Sequence, residues 1–208
     1  MACEMATLKA ARLFRLRGSP VFDSVFDADL PSDLQGLKFS NTAQFSLDMQ
    51  RRFEMKNLLG NTVKAPALAA LLENLGVTET PTINPDSGGI HVEKKDLGFS
   101  LWLQDPPTIL NRAYSSLPKG TPVLADCFYY SEGQDGYKQF AGELPGGLSF
   151  SDGHAQIVAR LGEPVWKREK NGRPIAAKWN VDGQSIHITY KKDQPGIKTL
   201  AFGIVQNF

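Results

Sequence analysis

The sequence predicts an α+β fold: antiparallel sheets with helices packed on one face, arranged as two helix-plus-hairpin modules. Three observations carry that expectation. Asn171-Gly172 and Asp182-Gly183 supply the positive φ angles that two-residue hairpin turns require. Runs such as Phe99–Leu103 and Ile186–Tyr190 alternate apolar and polar side chains, the period of a half-buried strand. A helix, a Leu-Gly stop, a turn and then strands describe both 66–103 and 152–190. The stops Leu75-Gly76 and Leu161-Gly162 lie 86 residues apart, and Phe99, Leu101 and Leu103 precede Ile186, Ile188 and Tyr190 by 87. A diverged duplication accounts for such near-constant offsets, and so does the commonness of helix-then-hairpin order.

The elements follow in chain order. Residues 1–60 read as a helical and irregular N-terminal segment, 61–143 as the first module and 144–208 as the second, with 61–208 forming one compact domain. Glu4–Arg17 has an amphipathic pattern closed by Gly18, Ser19 and Pro20, and Phe45–Leu59 predicts a helix ending at Gly60-Asn61. Pro66 suits a first helical position. Leu68, Leu71, Leu72 and Leu75 give that helix one apolar face, and Gly76 ends it. Strands are expected at 90–93, 97–103 and 123–130. A long loop, SEGQDGYKQFAGELPGG, follows them, and loops of that length are often functional. Ser151 is the expected N-cap of a helix with Ile157, Val158 and Leu161 inward, stopped by Gly162 and Pro164. Strands near 165–170, 174–181, 185–192 and 197–206 complete the chain.

Composition narrows the function classes. The 208 residues carry a formal net charge of +1, with 41% hydrophobic and 22% charged residues. That balance argues against a dedicated nucleic-acid binder. Lys9, Arg12, Arg15 and Arg17 interrupt the opening segment, which makes it a poor secretory signal. No stretch reaches the length of a membrane span. Two cysteines, Cys3 and Cys127, make no disulfide framework and suit a reduced, cytoplasmic setting.

Chemistry is sparse in the residues. His91, His154 and His187 lack the spacing of zinc ligands, and neither GxGxxG nor GxxxxGK[ST] occurs, so no metal or cofactor is expected. Ser149, Ser151, Asp152 and His154 invite a nucleophile–base reading, but helix capping explains Ser151 and Asp152, and no catalytic residue is assigned. Aromatic and acidic residues crowd between 126 and 140. Asp126, Tyr129, Tyr130, Glu132, Asp135 and Tyr137 form the first candidate partner-binding surface, since tyrosines are enriched at interface hot spots. A core reading stands beside it, in which Phe128 and Tyr130 belong to the core and Tyr137 closes a loop over it. The Asp23–Asp33 block, with Asp23 and Asp27, is the second candidate.

The segment LPGGLSFSDGHAQIVARLGEPVWKREKNGRPIAAKWNVDGQSIHITYKKD resembles the C-terminal half of small bacterial proteins encoded beside polymorphic toxins, including immunity proteins of type VI secretion effectors. Its helix, Leu-Gly-x-Pro stop and strand order is also similar to β-lactamase-inhibitor-like modules, another protein-binding architecture. The resemblance implies an immunity protein that blocks a cognate toxin, a nuclease of the restriction-endonuclease type, with acidic groups complementing a basic site. Two alternatives stand beside it. One is a small ligand-binding or hydrolytic domain using a groove between the modules, with His154 as its test residue; the other is an effector adaptor that binds without neutralising.

Overall fold

The computed structural model describes residues 54–206. Three short α-helices and seven strands organise them: α1 (Met55–Leu58), α2 (Pro66–Asn74), β1 (Gly89–Lys94), β2 (Phe99–Gln104), β3 (Val123–Tyr130), α3 (His154–Leu161), β4 (Trp166–Lys170), β5 (Arg173–Val181), β6 (Gln184–Tyr190) and β7 (Ile197–Ile204). Of the helix expected over Phe45–Leu59, residues 45–53 lie outside the described residues, and the rest gives the single turn α1, preceded by Glu54 in an extended conformation. Glu4–Arg17, Asp23, Asp27 and the rest of the N-terminal segment lie outside the described residues.

All seven strands join one antiparallel sheet in the order β1-β2-β3-β7-β6-β5-β4. The sequence led us to expect more than one sheet. Local turn chemistry does form two meanders, β1-β2-β3 and β4-β5-β6-β7, but the last strand of each pairs with the last strand of the other. At that junction Cys127 lies opposite Phe202, Phe128 opposite Ala201 and Tyr129 opposite Leu200. The register is thus symmetric about the Phe128–Ala201 pair.

The hairpin turns form as their dipeptides dictate. Asn171 and Gly172 sit at φ 52° and 73°, and Asp182 and Gly183 at 50° and 79°, the left-handed geometry whose twist matches the flanking strands. Helix α2 starts at Pro66, and past its end Gly76 N–H bonds to Glu73 O while Val77 N–H bonds to Leu72 O. Those paired bonds satisfy otherwise orphaned carbonyls and are completed by Val77 packing on the core.

Helix α3 departs from expectation at its start. Gly153, not Ser151, is the N-cap, and the Gln156 side chain reaches back to accept from Gly153 N–H at 2.8 Å. Ser149 and Asp152 instead close a turn just upstream, with Asp152 Oδ2 accepting from Ser149 N–H at 2.8 Å. At the other end, Trp179 Nε1–H donates to Gly162 O at 2.9 Å, tying the end of α3 to β5.

The main core unites Leu68, Leu71 and Leu72 of α2 and Ile157 of α3 with Phe99, Leu101 and Leu103 of β2 and Ile186 and Ile188 of β6. Apart from the exposed β4, the strands therefore give alternate residues to this core and the rest to the opposite face. A second, smaller cluster gathers Ile109, Val123, Ala125 and Ile204, with Trp102, Tyr114 and Leu117 packed against it.

Candidate functional site

The opposite face of the sheet is where polar chemistry collects. Cross-strand partners point the same way. Glu93, Ser100, Phe128, Ala201, His187, Lys178 and Trp166 therefore form one continuous row from β1 to β4. The neighbouring row runs His91, Trp102, Asp126, Gly203, Ser185, Asn180. Aromatic rings line both flanks. His91 tilts onto Trp102 at 4.4 Å and meets Phe128 edge-on at 5.5 Å, while His187 meets Trp166 edge-on at 5.8 Å.

Between these flanks, β7 contributes only the small Ala201 and Gly203 to these two rows. With so little side chain at the centre, a shallow depression of about 170 Å³ opens across β3, β7, β6 and β5. Its walls are Asp126, Phe128, Lys178, Ser185 and His187. The absence of a Cβ at Gly203 is a steric requirement: an added methyl would collide with the Asp126 carboxylate and sit 2.6 Å from Ala125 O.

Electrostatics follow from this partial enclosure. Burial raises the Asp126 carboxyl from its ordinary 3.8 to about 6, against the opposing pull of Lys178. Burial likewise lowers the His187 imidazole below its ordinary value, and Lys178 adds to the shift. His91 is also lowered by burial, with Glu93 acting in the other direction. The face therefore presents two histidines biased to the neutral form and one carboxyl biased to hold its proton. Such a surface can accept and donate hydrogen bonds and change charge in mildly acidic solution.

The candidates taken from the sequence fall in different places. Asp126 lines the depression. Tyr129, Tyr130 and Tyr137 are buried, at 2%, 8% and 3% exposure, and so offer little area to a partner. Tyr137 stacks on Tyr130 with centroids 3.8 Å apart and planes 11° from parallel, and Tyr130 shares a 3.2 Å hydrogen bond with Ser100. The loop that carries Tyr137 closes over the end of β2 and β3, where Phe140 N–H bonds to Tyr130 O and Lys138 N–H to Lys95 O. Glu132 is exposed, and its carboxylate accepts from Gln139 N–H at 2.8 Å within the same loop. Asp135 is exposed at φ 51°.

The nucleophile–base reading at 149–154 finds no geometry. Ser149 and Ser151 hydrogen-bond to each other at 2.9 Å, whereas His154 Nδ1 lies 2.8 Å from the Tyr190 hydroxyl. Among the described residues no group of three or more His, Cys, Asp or Glu side chains is placed to hold a metal ion. Cys127 is fully buried, and burial followed by Asp126 pushes its thiol well above the ordinary range, which makes it a poor nucleophile. No helix among the described residues is long and apolar enough to cross a membrane.

Sequence reasoning missed Lys178, Ser185 and His187 as a group with Asp126, because three strands bring them together. Two signals were present. Asp126 is the one charged residue in VLADCFYY, and Ala201 and Gly203 are the small residues of a strand otherwise rich in large ones. Comparison of the chain with protein families, curated proteins and solved structures finds no match.

Proposed function

We propose that this protein binds and neutralises a cognate secreted antibacterial toxin in the cytoplasm by stoichiometric association, without chemistry of its own. One observation carries the reading: the sheet face opposite the main core exposes His91, His187 and Trp166 around its centre. That surface places partly exposed aromatic rings around a shallow depression. In this reading α2 and α3 lie on one side of the sheet as the helices of two diverged modules, and the other side is left for the partner. The mirrored strand order, β1-β2-β3 against β7-β6-β5, supports the duplication, and the sequence resemblance to immunity proteins supports a nuclease-type toxin.

Co-expression with the product of the adjacent gene tests this. Rescue from toxicity together with a stable one-to-one complex is the expected result. Phe128→Asp and His187→Glu should abolish rescue while leaving circular dichroism unchanged. Complex formation without rescue would assign the protein as an adaptor. Undiminished affinity in both variants would place the partner on another surface.

A second reading rests on the depression itself, whose Asp126, Lys178 and His187 could hold a small polar ligand. A metabolite that copurifies with the protein and is lost in Lys178→Met would favour it.

A further inference from the structure

The β4–β5 hairpin is the most exposed part of the sheet. Strand β4 ends the strand order, and all five of its residues are exposed. Its inner side is engaged, since Val165 N–H donates to Lys178 O at 2.8 Å. Lys178 C=O faces β4, so its direct partner Trp166 and, two residues on, Arg168 turn their backbone groups inward, and the N–H and C=O of Lys167 and Glu169 point outward, away from β5. An edge of this kind is a template for another strand unless something discourages it.

Charge decides which strand it can accept. Between Val165 and Arg173 the chain carries Lys167, Arg168, Lys170 and Arg173 against Glu169 alone. Lys167 Nζ lies 3.0 Å from Glu169 Oε1, so that pair neutralises itself. Among the described residues Arg168, Lys170 and Arg173 have no carboxylate within ion-pair distance. A second copy of β4 laid alongside would oppose these cations to one another, and like charges across an antiparallel pair are destabilising. A strand bearing carboxylates meets the reverse situation. Apolar anchors stand at the same place: Trp166 is 46% exposed and Val165 63%. Trp166 and Arg168 share a face, and these two residue types dominate interface hot spots. The other edge, β1, carries one Glu and one Lys and has no such bias.

We propose that the outer edge of β4 binds an acidic, extended segment of a partner protein. The segment adds as an eighth strand, with its carboxylates on the face of Arg168, Lys170 and Arg173 and its apolar side chains on the other face, beside Val165. This goes beyond the neutralisation reading, because it depends on the edge and its charges and not on what the partner does.

The test uses the full chain and a capped ten-residue peptide of alternating Glu and Val. The matching Lys-Val peptide and a ten-nucleotide oligothymidylate serve as comparisons. Nuclear magnetic resonance should show the Glu-Val peptide binding at least tenfold more tightly than the Lys-Val peptide, weakening with salt and slowing amide exchange at Lys167 and Glu169. The triple variant Arg168→Glu, Lys170→Glu, Arg173→Glu should reverse the preference, an outcome that unfolding could not produce. Equal affinity for both peptides, no binding at millimolar peptide, or perturbation confined to β1 would overturn the proposal. Oligothymidylate binding as tight as that of the Glu-Val peptide would also overturn it and assign the hairpin to nucleic acid.

Discussion

Replacing Asp126 with Asn tests the electrostatics of the depression most directly. In the unfolded chain this carboxyl titrates near 3.8, whereas in the folded protein burial holds it at about 6. The native state thus binds the proton more tightly than the unfolded state. The associated stability is fully present below pH 4, falls as pH rises through 6 and is absent above it. A shift of about two pKa units corresponds to roughly 3 kcal/mol, an upper bound because the side chain keeps some contact with water. Asparagine has nearly the same shape and never ionises. Measured against wild type, Asp126→Asn should therefore gain about 2–3 kcal/mol between pH 4 and pH 7. In a chain of this size that is a rise in Tm of several degrees at neutral pH. Urea unfolding followed by tryptophan fluorescence, in half-unit steps from pH 4 to 7.5, gives the difference directly. A constant gap between the two proteins across that range would show that Asp126 does not titrate there, and the electrostatic account of the depression would fail.

Two further substitutions separate packing from recognition. Gly203→Ala should lower stability by about 1–3 kcal/mol through overpacking against Asp126 and Ala125. It should also move the Asp126 midpoint back toward 4 as the carboxylate is displaced into water; carboxyl chemical shifts against pH would show whether it does. Tyr137→Ala removes a buried ring stacked on Tyr130 and should cost roughly 3 kcal/mol in urea unfolding. Partner affinity measured on the folded variant should remain within twofold of wild type, and a hundredfold loss would restore Tyr137 as a contact residue.

Much of the local structure was legible in the sequence because it is decided locally. Pro66 and Gly76 bracket α2, Gly162 ends α3, and the two turn dipeptides set β4, β5 and β6 in order. Even the alternation of Phe99, Leu101 and Leu103 against Ser100 and Trp102 predicts which side faces the main core, though Ser100 on the other side is also buried. What the chain did not disclose is the pairing of β3 with β7. Nothing in the periodicity of either strand names its partner across so long a separation, so one sheet read as several. The tyrosines at 130 and 137 were open to a core or an interface reading for a related reason: their composition suits both, and only the return of the loop over β2 and β3 buries them. Ser151 satisfied the N-cap preference equally well on paper, but the pairing of Gly153 with Gln156 places the helix start two residues later. Asp126 was singled out by its type, while Lys178 and His187 acquire meaning only once strand register sets them on the same face.

The junction of β3 with β7 also governs how the molecule can come into being. A ribosome releases β1, β2 and β3 long before β7, so β3 emerges with one long side unsatisfied and must wait for β7 to be made. Contacts between such distant parts of a chain form slowly, and exposed strand edges invite aggregation in the interval. Among the described residues, the last strand in sequence order is the middle of the sheet. A premature stop only a few residues before Ile197 would therefore split the sheet at its centre, and nascent chains should depend on chaperone protection until that strand arrives.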